Sequence, residues 1–444
     1  MNIIKSLIIA LCVMQAGSFA QTYTLKQCLN YAVNNNGNIK IANLNTEIAG
    51  KKIQETIGSG LPQIDGSAAW TNNLLLPTTM LPGELMGRPG TSVPVKMGVK
   101  YNSSLGLTLK QKIVDPSFWL GLEAVQIANS YVNQNLQRTS ELTNYYVSSA
   151  FYQAAIALRQ MNNLKNVLAA SEETLHSTEL RYNTGVIKQV DVDKIRVSYN
   201  NTKSKLQQAE LTYKQALNNL KYQMGLPMDE PLSLSDSLSD KNFIVTDADD
   251  SFNLQNKIDY QMQLTNLRVA EIQKKQSVFA YLPSLSFNAS YAYIGMGQQF
   301  SIPKNNWNSS ASIGLSLTVP IFSGFQRYTR VEQNELYVKI AKENLNLTDQ
   351  SIRSDLSNYS LQFRNALDNI KNEKDNLSLA EKVYKNTQLD FQQGASSSLD
   401  VVQAESSLRE AQNSYFSKLL TLYIAKLDLE KSKGTLIQFI NNLE

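Results

Sequence analysis

Four glycines set the frame for this chain. All eleven prolines lie at 62–116, 227–231 or 283–320, leaving two long blocks without any, Ser117 to Leu226 and Ile321 to Glu444. Proline inside a helix costs about 3 kcal/mol and is normally kept out of helix interiors, so each block is free to be helical throughout. After the opening Gly121 and Gly324, these blocks hold glycine only at 185 and 225 and at 394 and 434. Position 394 lies 209 after 185, and 434 lies 209 after 225. A shared shift marks an internal duplication, and it constrains the fold before any propensity does.

Within the blocks, apolar and small residues recur at alternating steps of four and three. Ala150, Ala154, Ala157, Met161, Leu164 and Leu168 begin a series that reaches Tyr182; Tyr359, Phe363, Ala366, Ile370 and Leu377 belong to its counterpart, which reaches Phe391 in the same register. A seven-residue repeat held this long keeps one seam facing a partner helix when the helices supercoil left-handedly. The seam resumes after each tip, at Ile195, Tyr199 and Leu206 and at Ala404, Leu408 and Tyr415. Each block is therefore predicted to be a coiled-coil helical hairpin whose tip lies near 185 or 394.

Helix lengths extend this picture. From Ser117 to Thr184 the descending helix would be about 100 Å long, whereas the returning Val190–Met224 covers about half of that. Two further helical patterns, Thr24 to Ile57 and Phe252 to Phe279, have about the missing length and are expected to stack end to end with the returning helices. Between Gly225 and Ser251, Pro227, Pro231, several serines and a run of acids read as a small belt at mid-height.

Strict alternation appears beside the proline-containing segments. Leu285, Phe287, Ala289, Tyr291 and Tyr293 alternate with serines, Asn288 and Ala292; Ile313, Leu315, Leu317 and Val319 alternate with small and hydroxyl residues; so do Leu105, Leu107 and Leu109, and less cleanly Ile64, Ala68 and Trp70. A soluble sheet alternates the same way, because one face packs on a core. Here the polar face is mostly Ser, Thr and Asn, and Trp70, Tyr101, Tyr291, Tyr293 and Trp307 gather toward one end, the pattern of a membrane barrel wall with a wet lumen. Four strands cannot close a barrel, and open edges in lipid leave backbone groups unsatisfied, so such a barrel is shared between chains. Leu105-Gly-Leu-Thr-Leu and Ile313-Gly-Leu-Ser-Leu, 208 apart, carry the duplication into the strands. The loop with Pro77, Pro82, Pro89 and Pro94 and its shorter counterpart Gly295–Asn306 are expected to face outward.

The first twenty residues, with Lys5 ahead of the apolar run Leu7–Val13 and with Ser18 and Ala20 near a cut site, read as a secretory signal peptide. The net charge of +4 becomes +3 when Lys5 leaves with that segment, a balance that does not call for nucleic acid. Cys12 follows Leu11, where a lipoprotein signal wants a small residue, and Cys28 alone has no disulfide partner. Glu172 and His176 share a helix face but fall short of the three or four ligands of a tetrahedral metal site. No nucleophile constellation or phosphate-cradling glycine loop is present, so neither an enzyme nor a cofactor is expected.

Thr24-Leu25 with Ala32, Leu61-Pro62 and Leu282-Pro283, Tyr182-x-x-Gly185 with Asp191, Phe391-x-x-Gly394 with Asp400, and Gly225-Leu226 occur in an order and spacing that resemble the TolC-like outer-membrane efflux protein family over essentially the whole mature chain. The resemblance implies an α+β membrane protein. In it, coiled-coil hairpins of a homotrimer form an α-helical barrel through the periplasm, and four strands per chain complete a shared 12-stranded outer-membrane β-barrel. On this reading the domains are a signal peptide at 1–20, a first repeat at 21–230, an equatorial linker at 231–250 and a second repeat at 251–444. The implied function is a passive exit duct in a tripartite efflux or secretion system, docked to a periplasmic adaptor (membrane fusion) protein and an inner-membrane transporter. The alternative is a soluble periplasmic coiled-coil scaffold. Drug efflux and polypeptide secretion both remain open, since nothing in a passive tube names its cargo.

The resemblance also implies a gate at the tips. Family members carry an aspartate after the second tip glycine, matched by Asp400, and a second acid one turn on, where this chain has Gln403. They close the mouth with a tyrosine and an arginine that reach an aspartate after the first tip. Asp191 matches that aspartate and Asp193 lies beside it, but Phe391 has no hydroxyl and Ser396 no guanidinium. An aspartate in the first turn of a helix is also a simple dipole partner, and Ser396, Ser397 or Ser398 is placed to cap the same end. Thr184, Gly185, Val186, Gln393, Gly394 and Ala395 are the expected adaptor contacts.

Overall fold

A computed structural model describes residues 22–87, 89–235, 252–299 and 307–442. The expected signal peptide, residues 236–250 of the linker and the end of the loop after Gly295 lie outside the described residues. The chain forms two compact units. One holds the described residues up to Thr46 with Val132–Leu264 and Asn344 onward, and the other holds Glu47–Tyr131 with Thr265–Glu343, so each unit draws on both repeats.

The chain begins with a short strand β1 (Thr22–Tyr23) and continues through helices α1 (Leu25–Asn35) and α2 (Gly37–Gly58). Thr24 opens α1 with a capping box: its side chain accepts from the Gln27 amide, and Gln27 accepts from the Thr24 amide in return. The single helix expected over 24–57 is instead broken at Asn36. The side chain of Asn36 accepts from the Asn38 amide at 2.8 Å and so caps α2, while its amide donates to the Gln223 carbonyl at 2.7 Å.

Four strands then form one antiparallel sheet: β2 (Gln63–Asn72), β5 (Tyr101–Val114), β7 (Ser284–Gly297) and β8 (Trp307–Thr318), in the order β2-β5-β7-β8. The duplicated hairpins meet at β5 and β7. The register puts Ala68, Leu105, Tyr293 and Ser309 in one row and Ile64, Leu109, Ala289 and Ile313 in another. Side chains alternate between faces along each strand, so one face collects Ile64, Trp70, Leu105, Leu107, Tyr291, Ile313, Leu315 and Leu317, all of them exposed. The opposite face carries Ser67, Thr108, Asn288, Ser290 and Ser312, with Ser290 and Ser312 hydroxyls 2.8 Å apart. Trp70 stacks with Tyr101, and Tyr293 lies 5.2 Å from Trp307 at the same rim. Gly295 is required there, because a Cβ would stand 2.4 Å from the Trp307 ring. The long loop after β2 has structure of its own, a hairpin of β3 (Thr78–Pro82) and β4 (Ser92–Lys96).

From the sheet the chain enters α3 (Pro116–Asn183), returns as α4 (Gln189–Met224), and passes through β6 (Ser233–Leu234), which pairs in parallel with β1. The second half repeats this with α5 (Ile258–Phe279), β7, β8, α6 (Gln326–Gln393) and α7 (Ser398–Lys433), and ends in α8 (Leu436–Asn441). The helix expected from Phe252 starts at Ile258, after a single 3-10 turn at Leu254–Asn256. Both long hairpins have helices of 68 and 36 residues.

The four punctuating glycines share one structure. Each has φ between 73° and 83° and ends a long helix. At Gly185 the Val186 amide donates to the Arg181 carbonyl and the Gly185 amide to that of Tyr182; Ala395 and Gly394, Leu226 and Gly225, and Thr435 and Gly434 do the same. These are Schellman closures, whose left-handed position favours glycine because it has no Cβ. Gly225 and Gly434 also end α4 and α7 where the next rods begin. A Cβ on Gly225 would stand 2.5 Å from the Asn35 carbonyl oxygen, and one on Gly434 3.4 Å from the Lys257 side chain. The stacking of shorter helices on the returning ones is thus seen at both joints.

The core of this unit packs Cys28, Val147, Ala150, Phe151, Ala154, Leu220, Met224, Phe363, Leu422, Tyr423 and Leu436. Alanine on α3 brings the helices close, and Tyr152 stacks on Tyr423 at 4.7 Å. No helix among the described residues is long and apolar enough to cross a membrane.

Candidate functional site at the hairpin tips

The two tips have similar backbones and different chemistry. In the second, Ser397 caps α7: its hydroxyl accepts from the Asp400 amide at 3.2 Å, and the Asp400 carboxylate accepts from the Ser397 amide at 2.9 Å and hydroxyl at 2.7 Å. Of the three candidate capping serines, Ser397 is the one used. These bonds hold the Asp400 carboxyl below its ordinary value, with the Ser397 hydroxyl the largest cause. Asp400 is exposed, and so is Gln403 one turn later.

The first tip has no side-chain cap at Lys188, and its aspartate turns outward to the other hairpin. The Ser398 hydroxyl donates to Asp191 at 2.6 Å. Lys194 lies 3.7 Å from the same oxygen. Together, with the Ser398 bond foremost, they lower the Asp191 pKa. Asp193 instead accepts from Gln189 on its own helix at 3.0 Å.

Phe391 is buried, packed with Ile195 and Val401. Arg181 of the first tip donates to the Phe391 carbonyl at 2.6 Å and lies over its ring at 5.2 Å. A guanidinium is suited to donating and stacking at once. Ser396 turns back onto the Thr387 carbonyl at 3.1 Å and makes no bridge. Thus Asp191 and Phe391 both join the two hairpins, through partners that the resemblance does not supply. Thr184, Gly185, Val186, Gln393, Gly394 and Ala395 are all exposed.

A second tie lies higher on the return helices. Glu405 is 2% exposed and accepts from Ser198 at 2.9 Å and Thr202 at 2.7 Å, while Arg409 bonds both Glu405 and Thr202. Asp191–Ser398, Ser198–Glu405 and Thr202–Arg409 all join residues 207 apart, so α4 and α7 run side by side two residues out of the duplication's own register. Ala404 and Leu408 lie on the heptad seam, and the charged residue next to each carries no signal in that pattern. Arg181 was hidden similarly, since a cation in a last helical turn reads as a dipole partner. Among the described residues, no three His, Cys, Asp or Glu side chains are grouped to hold a metal.

The sequence pattern of the outer membrane efflux protein family matches residues 253–435. Outer membrane protein TolC of Escherichia coli (strain K12) is 21% identical over 448 residues, which cover 97% of this chain and 86% of that protein. Residues 253–435 therefore carry the outer membrane efflux protein pattern, and the chain as a whole is TolC-like. TolC of Vibrio cholerae is 19% identical over 75% of this chain and 77% of its own length. Among solved structures, VceC of Vibrio cholerae has a TM-score of 0.71 at 15% identity, covering 92% of this chain and 96% of its own. The open state of MtrE from Neisseria gonorrhoeae has 0.69 at 17%, covering 93% and 89%. The α+β channel fold is therefore shared at low identity. In sequence and in fold the chain is thus similar to outer-membrane efflux channels.

Proposed function

We propose that three copies of this chain form one duct, each giving four strands to a shared 12-stranded barrel. The observation that carries this is the sheet β2-β5-β7-β8. It has one continuous apolar face, strands of 10 to 14 residues and two open edges, at β2 and β8. About 9–11 tilted residues span a bilayer, and only closure satisfies edge groups in lipid. The apolar, exposed Leu336, Ile340 and Leu347, at helical spacing on α6, supply surface for a neighbouring copy. The two repeats, 21–230 and 251–444 around a linker at 231–250, are the units of duplication, and the compact units form across them.

The helices extend into the periplasm, and the tips meet a periplasmic adaptor coupled to an inner-membrane transporter. Thr184, Gly185, Val186, Gln393, Gly394 and Ala395 are the contact residues. Asp400 and Gln403 face the mouth, Asp400 favouring cations and holding divalent ions there, while Asp191, Asp193, Phe391 and Ser396 belong to the surrounding gate. Purified protein in detergent should run as a heat-modifiable trimer and conduct in planar bilayers. A soluble elongated monomer without conductance would favour the scaffold alternative. Unchanged ion selectivity in Asp400→Ala would remove Asp400 from the mouth, and photocrosslinkers at Val186 and Ala395 that capture no adaptor would remove the docking assignment.

A further inference from the structure

A cavity of about 460 Å³ opens between α3, α4 and α7, roughly 30 Å along α4 from its start. The three helix segments belong to one compact unit, so all of the lining comes from a single chain. Ligand cavities are usually lined mostly by apolar side chains. This one is walled by five carboxamides, Gln160 and Asn163 of α3, Gln208 of α4, and Gln412 and Asn413 of α7, with an apolar patch at Leu164, Ala209 and Phe416. Gln412 is the telling residue. It is 5% exposed, and its carboxamide has no hydrogen-bond partner among the described residues. A buried amide left in that state costs free energy that an apolar side chain would not. The charges around the cavity cancel. Arg409 bonds Glu405 and Thr202 through one nitrogen, Nη1, so its charge is matched by a buried carboxylate while its other donors stay available. Lys205 and Glu410, both exposed, offset each other at the rim.

We propose that this cavity binds a neutral, hydroxyl-rich ligand of the saccharide class, held by Gln412, Gln208 and Asn163, on the outer side of the helices and not in the duct. A lining without net charge selects neither an anion nor a cation. A carboxamide offers both donors and an acceptor, and a hydroxyl both donates and accepts, so neighbouring hydroxyls are the neutral groups that can use such a wall throughout. Gln160 donates to Asn413 at 2.8 Å, which ties α3 to α7 and orients both amides. The carbon face of a sugar ring suits the half-buried Phe416 beside Leu164. Only the outward placement rests on the duct reading above. Arg409 and Phe416 follow Asp400 by 9 and 16 residues, which at about 100° per residue is about half a turn. With Asp400 toward the mouth, the cavity opens away from the lumen to the periplasm, where its ligand is a free oligosaccharide or the exposed end of a wall glycan.

The test is isothermal titration calorimetry of the full mature protein, in a detergent without a sugar headgroup, with the trisaccharide of N-acetylglucosamine as the probe. One site per chain with a Kd below about 1 mM is expected, weakened about tenfold or more in Gln412→Leu and in Gln208→Ala. Gln412→Leu removes an unpartnered buried amide, so its unfolding temperature should hold or rise. Gln208 is exposed, and its truncation keeps the readout if the first variant misfolds. No heat at millimolar trisaccharide, or binding unchanged in both variants, would overturn the site, as would inorganic phosphate binding more tightly than the sugar. Co-sedimentation with purified cell-wall sacculi separates the two sources. Retention that is lost in the variants assigns the wall glycan, and calorimetric binding without retention assigns a free oligosaccharide. In planar bilayers the trisaccharide should leave the current unchanged. Stepwise block would put the cavity in the lumen and overturn its placement, whereas sugar binding by a protein that does not conduct would overturn the duct and leave the site.

Discussion

Ser398 donates to the Asp191 carboxylate at 2.6 Å, joining the first turns of the two returning helices. In the proposed gate this bond must break, or move as a unit, whenever the two hairpins part. Hydrogen bonds to charged groups contribute about 1.5–3 kcal/mol, but the Asp191 side chain is 28% exposed and solvent weakens the bond, so about 1 kcal/mol is the realistic scale. Ser398→Ala should therefore raise open occupancy in single-channel recordings roughly fivefold. Serine-to-alanine at Ser396, whose bond to the Thr387 carbonyl stays within its own hairpin, should leave it unchanged.

The same bond sets a pH window. The Asp191 and Asp400 carboxyls are both held below their ordinary value by serine hydroxyls. A depressed acid contributes stability that is full above the unfolded pKa, about 3.9, and is lost as pH falls through the lower folded value. Closure that depends on these links should be constant from pH 7 to 5 and weaken only below about pH 4. Conductance measured over that range would reveal a different gate if it rose already between pH 7 and 5.

The frame of this molecule was open to sequence reasoning because it depends on backbone rules. Glycine at 185, 225, 394 and 434 is dictated by a left-handed closure, and the exclusion of proline from α3 and α6 by helix geometry. The sheet face was legible for the same reason, since alternation has a period of two. Partner choice at the tips was not. Arg181 and Phe391 are 210 residues apart, and no local pattern states which of several nearby polar groups a side chain will reach. Asn36, which breaks the first helix, was missed because its amide answers to Gln223 on a distant segment.

Glu405 and Arg409 form the more consequential tie. A buried, hydrogen-bonded ion pair contributes little beyond what well-packed apolar residues would, but stranding one partner costs about 3–5 kcal/mol. With Arg409 still partly exposed, about 3 kcal/mol is expected for Glu405→Leu. The double variant Glu405→Leu/Arg409→Leu should recover most of that loss in thermal or denaturant unfolding. Additive losses would show that each side chain acts alone and that the pair does not set the register of α4 against α7.

Gly225 and Gly434 occupy the same closure 209 residues apart and differ in what lies next to them. Both have positive φ, 73° and 78°, so alanine at either should cost about 1–2 kcal/mol from the backbone alone. At Gly434 the added Cβ would meet the side chain of Lys257 at 3.4 Å, and a lysine methylene can shift. At Gly225 it would stand 2.5 Å from the Asn35 carbonyl oxygen and 2.8 Å from its carbon, and backbone held by Asn36 cannot move without breaking the bond to Gln223. Gly225→Ala should therefore destabilise the protein by clearly more than Gly434→Ala, about 3 kcal/mol or more against about 1–2. It should also raise hydrogen exchange at the start of α2. Equal costs at the two sites would mean that the joint between α1, α2 and α4 is looser than the packing at Asn35 and Asn36 requires.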